Sequence, residues 1–500
     1  MKKDSITSFS CFHVLVTHRY LLCRKFIALN KYAGERTLVK HYTLLLLVTL
    51  VVGITSCSNI STSLLAKTPK DVPENWQGRS EKGLIDDGWV ADLKSPKLLS
   101  LIDTALSNNL LLKQQSYDVH IMKQHLVSAN NALWPSSEMT LLQSRKDSGE
   151  SAIENKASIE IGLNYELDIW GKLSAGEQKS HLAFLAQKSR FEYQRRQLAV
   201  DVANAWLNRI EAAALRNITA KQVSNAAKSL EIMSSEYQRG LVSLLDLSFA
   251  RNELHAFRIN LTLRESAIID STRALEKLLG RYPAGTLAFA HQSQIPSLPK
   301  SIYLGIPADI IERNPALVAS WSDVLALNAN LAFTHRQRLP SFKLSADISK
   351  SADNIVDVFS GPPLAWSLLG NITTPLFNRN QLKTNEEIAR LTLQQAEHKY
   401  LEDVYNTYLN IETALSNESS LKIELTESIA AEESSALANR LSQEQYQRGL
   451  SNYSTVLDAQ ERFYIAQINT VKTQSKLIAN RIQLHHALGG NFEATSQPGI

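Results

Sequence analysis

The sequence predicts a mainly α chain, built twice, in which long coiled-coil helices alternate with strands of a transmembrane β-barrel. Three observations carry this. The pentapeptide Tyr237-Gln238-Arg239-Gly240-Leu241 recurs as Tyr446-Gln447-Arg448-Gly449-Leu450, an offset of 209 residues, and self-similarity at a fixed offset marks a repeated structural unit. Four long stretches contain neither Gly nor Pro. Between them lie runs in which apolar and polar residues alternate one by one.

At the front, the first 56 residues carry eight Lys/Arg against two Asp/Glu, leaving 45 basic and 47 acidic residues in the remainder. A body so close to neutral has no basic stripe for a phosphate backbone, which excludes nucleic acid as a partner. Lys31, Arg36 and Lys40 precede an apolar run, Tyr42 to Ile54, too short to span a bilayer comfortably, so residues 1–56 read as a signal segment. The run closes on Ile54-Thr55-Ser56-Cys57, which resembles a bacterial lipobox: small residues give a peptidase access to the bond before a Cys that receives lipid. The alternative is an ordinary small apolar residue behind an uncleaved anchor. All three cysteines, Cys11, Cys23 and Cys57, lie at or before that bond, so the mature body is expected to hold no disulfide. Met1 to Thr37 is long for a signal's basic region, and initiation near Leu38 or Val39 is expected.

The stretches without Gly or Pro are Glu177 to Arg239 and Leu241 to Leu279, then Gln381 to Arg448 and Leu450 to Leu488. As helices, the longer member of each pair reaches roughly 95–100 Å and the shorter about 60 Å. Apolar residues recur every seven positions, at Leu247, Leu254, Leu261, Ile268 and Leu275, and at Leu457, Tyr464, Val471 and Ile478, the spacing of helices packed against neighbours. The 209 offset also maps Leu279-Gly280 onto Leu488-Gly489. Trp134-Pro135-Ser136 maps onto Leu339-Pro340-Ser341 at 205, and Asp201-Val202 onto Asp403-Val404 at 202, the latter expected from one heptad of slip. A soluble coiled coil stays open at this point.

The strands decide against it. Ala157 to Ile169 alternates throughout, with Ala157, Ile159, Ile161, Leu163, Tyr165, Leu167 and Ile169 on one face. Residues 341–348 repeat this with Phe342, Leu344, Ala346 and Ile348. Residues 364–376 place Leu364, Trp366, Leu368 and Ile372 together, and Ser136 to Gln143 is blurred by Leu141 and Leu142. Runs of this length suit tilted membrane-spanning strands with one face to lipid and one to water. Four strands cannot close a barrel without leaving edges in lipid, so several chains are expected to share one.

These features, together with particular motifs, resemble the TolC-type outer-membrane factor family, specifically its efflux lipoprotein branch. The motifs are Leu133-Trp134-Pro135-Ser136, Tyr165-Glu166-Leu167-Asp168-Ile169-Trp170-Gly171-Lys172-Leu173, Ile306 to Pro315 (IPADIIERNP), Thr374-Pro375-Leu376-Phe377 and the two Tyr-Gln-Arg-Gly-Leu turns. The resemblance covers nearly all of the chain after Cys57. It implies a homotrimer with a shared twelve-stranded barrel in the outer membrane, continued into the periplasm by an α-barrel that meets a periplasmic adaptor and an inner-membrane efflux transporter. It implies passive export of drugs or other small toxic compounds, with lipid as the only other partner and no cofactor. Ser58 after Cys57 fits, since an acidic residue there signals inner-membrane retention. A lipid-anchored coiled-coil spacer without a pore is the alternative.

Site expectations follow. Pro135, Pro340 and Pro375 lie between helix-like and strand-like segments, where a fixed φ and a missing N–H suit a swivel. Arg239, Gly240, Leu241, Arg448, Gly449 and Leu450 form the helix turns that the resemblance makes adaptor-contacting tips. Relatives often carry a carboxylate just after the second tip, where this chain has Leu450-Ser451-Asn452-Tyr453. Closure of the periplasmic end is therefore expected at Arg448, Ser451, Tyr453 or Asp458. The segment around Trp76 is expected to run extended from the anchor along a neighbouring subunit. The organisation expected is a signal segment (1–56), an anchored extended segment (57–96), two repeats (97–290 and 291–490) and a tail (491–500).

No enzymatic constellation is present in the sequence. His485 and His486 are adjacent and diverge by about 100° on a helix, and His120 and His125 are five apart, so neither pair shares a metal-facing side. There is no phosphate-binding glycine loop, His-Glu-x-x-His or nucleophile elbow. Glu166 and Asp168 read as water-facing acids on a strand. No catalytic or metal site is expected. Conductance of a Ser451→Asp channel is expected to fall in a cation-dependent way; unchanged conductance and ion selectivity would take this residue out of the gate.

Overall fold

The computed structural model describes residues 87–493 except 148, 150–152, 289–293, 298–303 and 362, together with residues 64, 67, 69, 72, 73 and 75–77. All of these belong to one unit, Ser63–Ile500. The expected signal segment, Cys57, Ser58 and the end of the tail lie outside the described residues.

The first half runs through α1 (Trp89–Asp92), α2 (Pro96–Asn108), α3 (Leu110–Asn131), β1 (Ser136–Lys146), β2 (Glu154–Leu167), α4 (Lys172–Gln238) and α5 (Leu244–Leu278). The second runs through α6 (Ile310–Arg313), α7 (Pro315–Arg336), β3 (Ser341–Ala352), α8 (Ile355–Ser360), β4 (Ala365–Thr373), α9 (Arg379–Gln447) and α10 (Tyr453–Ala487). The rods fall close to the Gly- and Pro-free stretches. α4 begins five residues early because its first turns tolerate Gly176, and α5 begins at Leu244 because Ser243 and Asp246 form a capping box before it. The 67 and 69 residues of α4 and α9 correspond to roughly 100 Å each. These two helices start 207 residues apart and end 209 apart, a drift of two residues. A full heptad of slip does not fit between them, so Asp201 and Asp403 are not equivalent positions.

One helix in each half, α3 in the first and α7 in the second, adds to what the sequence pattern marked. α7 is apolar and long enough to cross a membrane, yet Leu317, Val324 and Leu331 are buried where it packs between α4 and α9. Residues 57–96, expected to be extended, turn helical at α1, whose Trp89 and Val90 are buried. Trp76 packs edge-on against Tyr408 of its own chain, ring centroids 5.8 Å apart. The tail begins docked: Asn491 N donates to Asp87 Oδ1 at 2.8 Å, and Phe492 is buried beneath the Arg195 guanidinium.

Each long rod carries two shorter helices laid end to end. α5 lies along the turn-side half of α4, with Arg209 Nε donating to Thr272 Oγ1 at 2.9 Å, and α3 packs on the half nearer the sheet. α10 and α7 share α9 in the same way: Arg481 grips Glu418 through Nε at 2.7 Å and Nη2 at 2.5 Å, and Ser320 donates to Asp403 at 2.8 Å. Where the short helices meet, Asn109 accepts from Leu112 N to cap α3 and donates from Nδ2 to Leu278 O at 2.9 Å. Asn314 does the same between Ala316 N and Ala487 O. These two asparagines stand 205 residues apart, the offset of the Pro135 and Pro340 motifs.

The sheet is antiparallel in the order β1-β2-β3-β4, so the halves join through β2 and β3. Ile161 pairs with both Met139 and Ile348, and Ile348 with Trp366, which lines one face with apolar residues across all four strands. Register settles the blurred first strand: Leu141 faces the oily side opposite Ile159, and Leu142 the polar side opposite Ser158. Pairing carries β1 past residue 143 to Lys146, β2 back to Glu154 and β3 past 348 to Ala352, beyond the reach of alternation alone. At the other end β2 stops at Leu167, not 169, and β4 at Thr373, before Pro375.

Packing concentrates at the two joints. Trp206, Leu207 and Ile210 of α4 meet Leu98 and Ile102, Leu275 and Leu279, and Ile478 and Ile482 in one cluster. Tyr400, Val404 and Ile411 of α9 meet Leu317, Leu484 and Leu488 in another. Each such large side chain contributes about 1.5–3 kcal/mol on burial. His485 and His486 sit in this layer, stacked on Trp89 at 6.2 Å and tilted on Tyr193 at 5.1 Å. Burial pushes them down to about 3 and about 4, with Arg481 and Arg196 adding to the effect. Unfolded imidazoles take protons below about pH 6.5, whereas these do not until pH falls much further. Stability therefore falls as pH drops from about 6.5, by on the order of 3 kcal/mol per ring by about pH 4. The melting temperature should decline across that window, and a His485→Leu/His486→Leu variant should show a flatter decline in the same titration.

Candidate functional site

The expected site residues fall at two levels, the sheet–helix junctions and the helix turns. Pro135 lies between α3 and β1, Pro340 between α7 and β3, and Pro375 between β4 and α9. The fourth junction has no proline. There Asp168, expected on the strand's polar face, leaves the strand and caps α4, its carboxylate accepting from Leu173 N and Ser174 N at 2.8 Å each. The junctions brace one another: Trp170 Nε1 donates to Pro340 O at 2.6 Å, and Arg336 Nη1 donates to Gly171 O at 2.7 Å. Glu386 of α9 binds, at 3.2 Å, His335 in the last turn of α7 and also Arg338 just past that helix. Pro340 and Pro375 line a cavity of about 450 Å³ here with Trp170 and Arg336. Pro135 carries none of these braces among the described residues, and Trp134 beside it is exposed.

At the turns, α4 and α9 end alike. Gly240 N donates to Tyr237 O and Leu241 N to Glu236 O; Gly449 N donates to Tyr446 O and Leu450 N to Gln445 O, all at 2.9 Å. This is the Schellman pattern, which needs a left-handed residue at the glycine, and the two φ values are +73° and +70°. A Cβ at either glycine would meet nothing within 4 Å. Leu241 and Leu450 project into solvent beside them. The joint glycines share this backbone in opposite surroundings: a Cβ on Gly280 would lie 2.4 Å from Asn108 O, and on Gly489 3.0 Å from Arg313 O.

The gate candidates separate. Arg448 and Asp458 are exposed, Ser451 is half-buried with its Oγ unpartnered, and Tyr453 is buried. Tyr453 sits in a small core with Met233, Leu247, Ala250 and Val456, its ring 5.6 Å from that of Tyr446. Its hydroxyl donates to Glu253 Oε2 at 3.5 Å. Burial pushes the Glu253 carboxyl up to about 7 despite that bond, so this contact between the two halves changes charge near neutrality. Nothing in sequence marked Glu253. A groove of about 650 Å³ between the helix pairs is lined by Met233, Leu241, Tyr446, Ser451 and Tyr453. His485 and His486 point to different partners, and the described residues contain no group of three or more metal-ligating side chains.

A family model described as outer membrane efflux protein matches residues 101–281 and 306–490. The chain is 24% identical over 418 residues to the toluene efflux pump outer membrane protein TtgF of Pseudomonas putida, covering 82% of this chain and 87% of that one. It is 24% identical over 479 residues to the pyoverdine export outer membrane protein OpmQ of Pseudomonas putida, covering 92% and 99%. Among solved structures it resembles the Campylobacter jejuni CmeC outer membrane channel with a TM-score of 0.81 at 19% identity, over 88% of this chain and 96% of that one.

The two glycine environments predict different tolerance. Gly240→Ala should cost about 1 kcal/mol, from its backbone alone. Gly280→Ala should lower the melting temperature by at least twice as much, because Asn108 must also move. Equal losses would show that turn and joint impose the same constraint.

Proposed function

Because the chain belongs to the outer membrane efflux protein family, we propose that it is the passive outer-membrane duct of a tripartite efflux pump, working as a lipid-anchored homotrimer that passes drugs or other small toxic compounds. The observation that carries this is the sheet. Its oily face is open to the surroundings, with Leu163, Ile348, Trp366 and Leu368 all exposed, and β1 and β4 leave an unpaired edge on either side. Hydrocarbon tolerates neither an open edge nor an unsatisfied backbone group, so the edges of one copy pair with those of the next. Three copies supply twelve strands, within the range of closed barrels.

The rods support the same assembly. Leu409, Ile423 and Leu437 of α9 are exposed at multiples of seven residues, a seam with no partner among the described residues of its own chain. Leu110, Tyr117 and Ile121 give α3 a similar uncovered face. Side by side, three chains would close a wall of helices around a water-filled lumen beneath the barrel. The open turns at Arg239, Gly240, Leu241, Arg448, Gly449 and Leu450 then face the periplasmic adaptor, which joins the duct to an inner-membrane transporter. Lipid on Cys57 holds the chain to the membrane. Pro135, Pro340 and Pro375 set the change of direction from strand to rod, and Arg448, Ser451 and Asp458 narrow the far end. Cargo selection falls to the transporter, since a duct lined by ordinary polar groups has no pocket to read its contents.

Purified protein extracted in detergent should have the mass of three chains and give discrete conductance steps in a planar bilayer. A folded monomer that never conducts would instead identify a lipid-anchored spacer.

A further inference from the structure

On the reading of the sheet as a membrane-spanning wall, its oily face is too short. Along β2 the large apolar side chains on that face run from Leu167 to Ile159, about 26 Å of strand. A tilt of about 40° leaves roughly 20 Å of height, against an apolar band of about 25 Å. Beyond Ile159 the face turns small and polar: Ala157 pairs with Gln143 and Ala352, and Asn155 with Arg145.

α8 covers that gap. It packs against β2 and β3, and Val358 on its inner side and Ala157 on the sheet are both 0% exposed. Ala157 belongs to the oily face, while Glu160 and Ser351 of the polar face near the same level remain exposed, so the helix lies on the outside of the wall. Its opposite side presents Val356 and Phe359, 72% and 67% exposed. The short helix therefore continues the oily surface over rows where the strands have stopped supplying it.

The charges on the face are equally one-sided. In the four strands its positions include two cations, Arg145 and Lys350, and no carboxylate, and both cations lie in the last rows at this end. Lys350 stands opposite Ile159, one step inside the row that α8 covers. Long basic side chains at such a boundary run their stems along apolar surface and place their charge among headgroups.

We propose that α8, Arg145 and Lys350 form a lipid-docking rim: Val356 and Phe359 enter the acyl region of the leaflet opposite the helical rods, and the two cations bind its anionic headgroups. The surface is continuous with the lipid-facing wall, and its charge selects acidic lipid over zwitterionic.

The test uses the full chain reconstituted in vesicles of phosphatidylcholine, with and without phosphatidylglycerol, bearing a nitroxide at Phe359→Cys. Leu368→Cys in mid-sheet and Leu241→Cys at a turn serve as references, and the labelled unsubstituted chain as the blank. Collisions with oxygen should exceed those with a water-soluble nickel chelate at 359 and 368, and the reverse should hold at 241. A water-exposed 359 beside a lipid-exposed 368 would overturn the rim and leave the wall standing; water exposure at both would overturn the wall itself. Phosphatidylglycerol should raise the melting temperature of the native chain, and an Arg145→Gln/Lys350→Gln variant should lose that rise. An undiminished rise in the variant would remove the cations from the proposal.

Discussion

A rod of roughly 100 Å cannot hold itself straight in water by backbone hydrogen bonds alone, since helical stability in proteins comes chiefly from packing along one face. α4 and α9 meet that constraint by accepting two shorter helices each, and the weak point of such an arrangement is the seam where the short ones abut. There the last carbonyls of one helix and the first amides of the next would both be left without partners. Asn109 and Asn314 serve both sides at once, capping one helix and donating to the end of the other. Gly280 and Gly489 let the two backbones come within touching distance. Much of the buried apolar surface gathers around these joints, so the straightness of the rods and the placement of the sheet above them follow from the same few contacts.

What sequence made legible was whatever repeats at short range. Seven-residue spacing and the lack of Gly and Pro located four rods to within a few residues at most ends, and strict alternation located the strands' oily face. α3 and α7 escaped for opposite reasons. α7 is enclosed by α4 and α9 and so is apolar on several sides, while α3 buries only Leu112 among its own chain's helices and shows no clear stripe. Strand ends were misjudged because pairing with a neighbour extends a strand past its alternating part, and because Asp168 serves a helix cap in place of a ladder position. The joint asparagines left a trace, the 205 offset shared with the proline motifs, but a lone Asn before a helix is too common to single out.

The turns and the joints show how one backbone motif takes on different duties. All four glycines end a helix in the left-handed region, yet two look onto open space and two onto a neighbouring main chain. The duplicated chain has kept the local hydrogen bonding of both copies and varied what surrounds them. At the turn level the halves meet where Tyr446 reaches Met233 and Tyr453 reaches Glu253, a carboxyl poised near neutrality. Nearer the sheet they meet through Trp170, Arg336 and the β2–β3 ladder. The first set weakens as the Glu253 carboxyl loses its proton, because burial disfavours the charged form; the second is made of main-chain and guanidinium hydrogen bonds.

Because each long helix is divided by a joint into two separately clad spans, its reach behaves as a modular length. A heptad added to α4 and α5 on the turn side, and matched in α9 and α10, would lengthen one span by roughly 10 Å without altering the facing of a single seam residue or disturbing the joint. The distance from membrane to turn can thus be retuned in fixed increments, and chains of this architecture can suit cell envelopes of different depth by counting heptads.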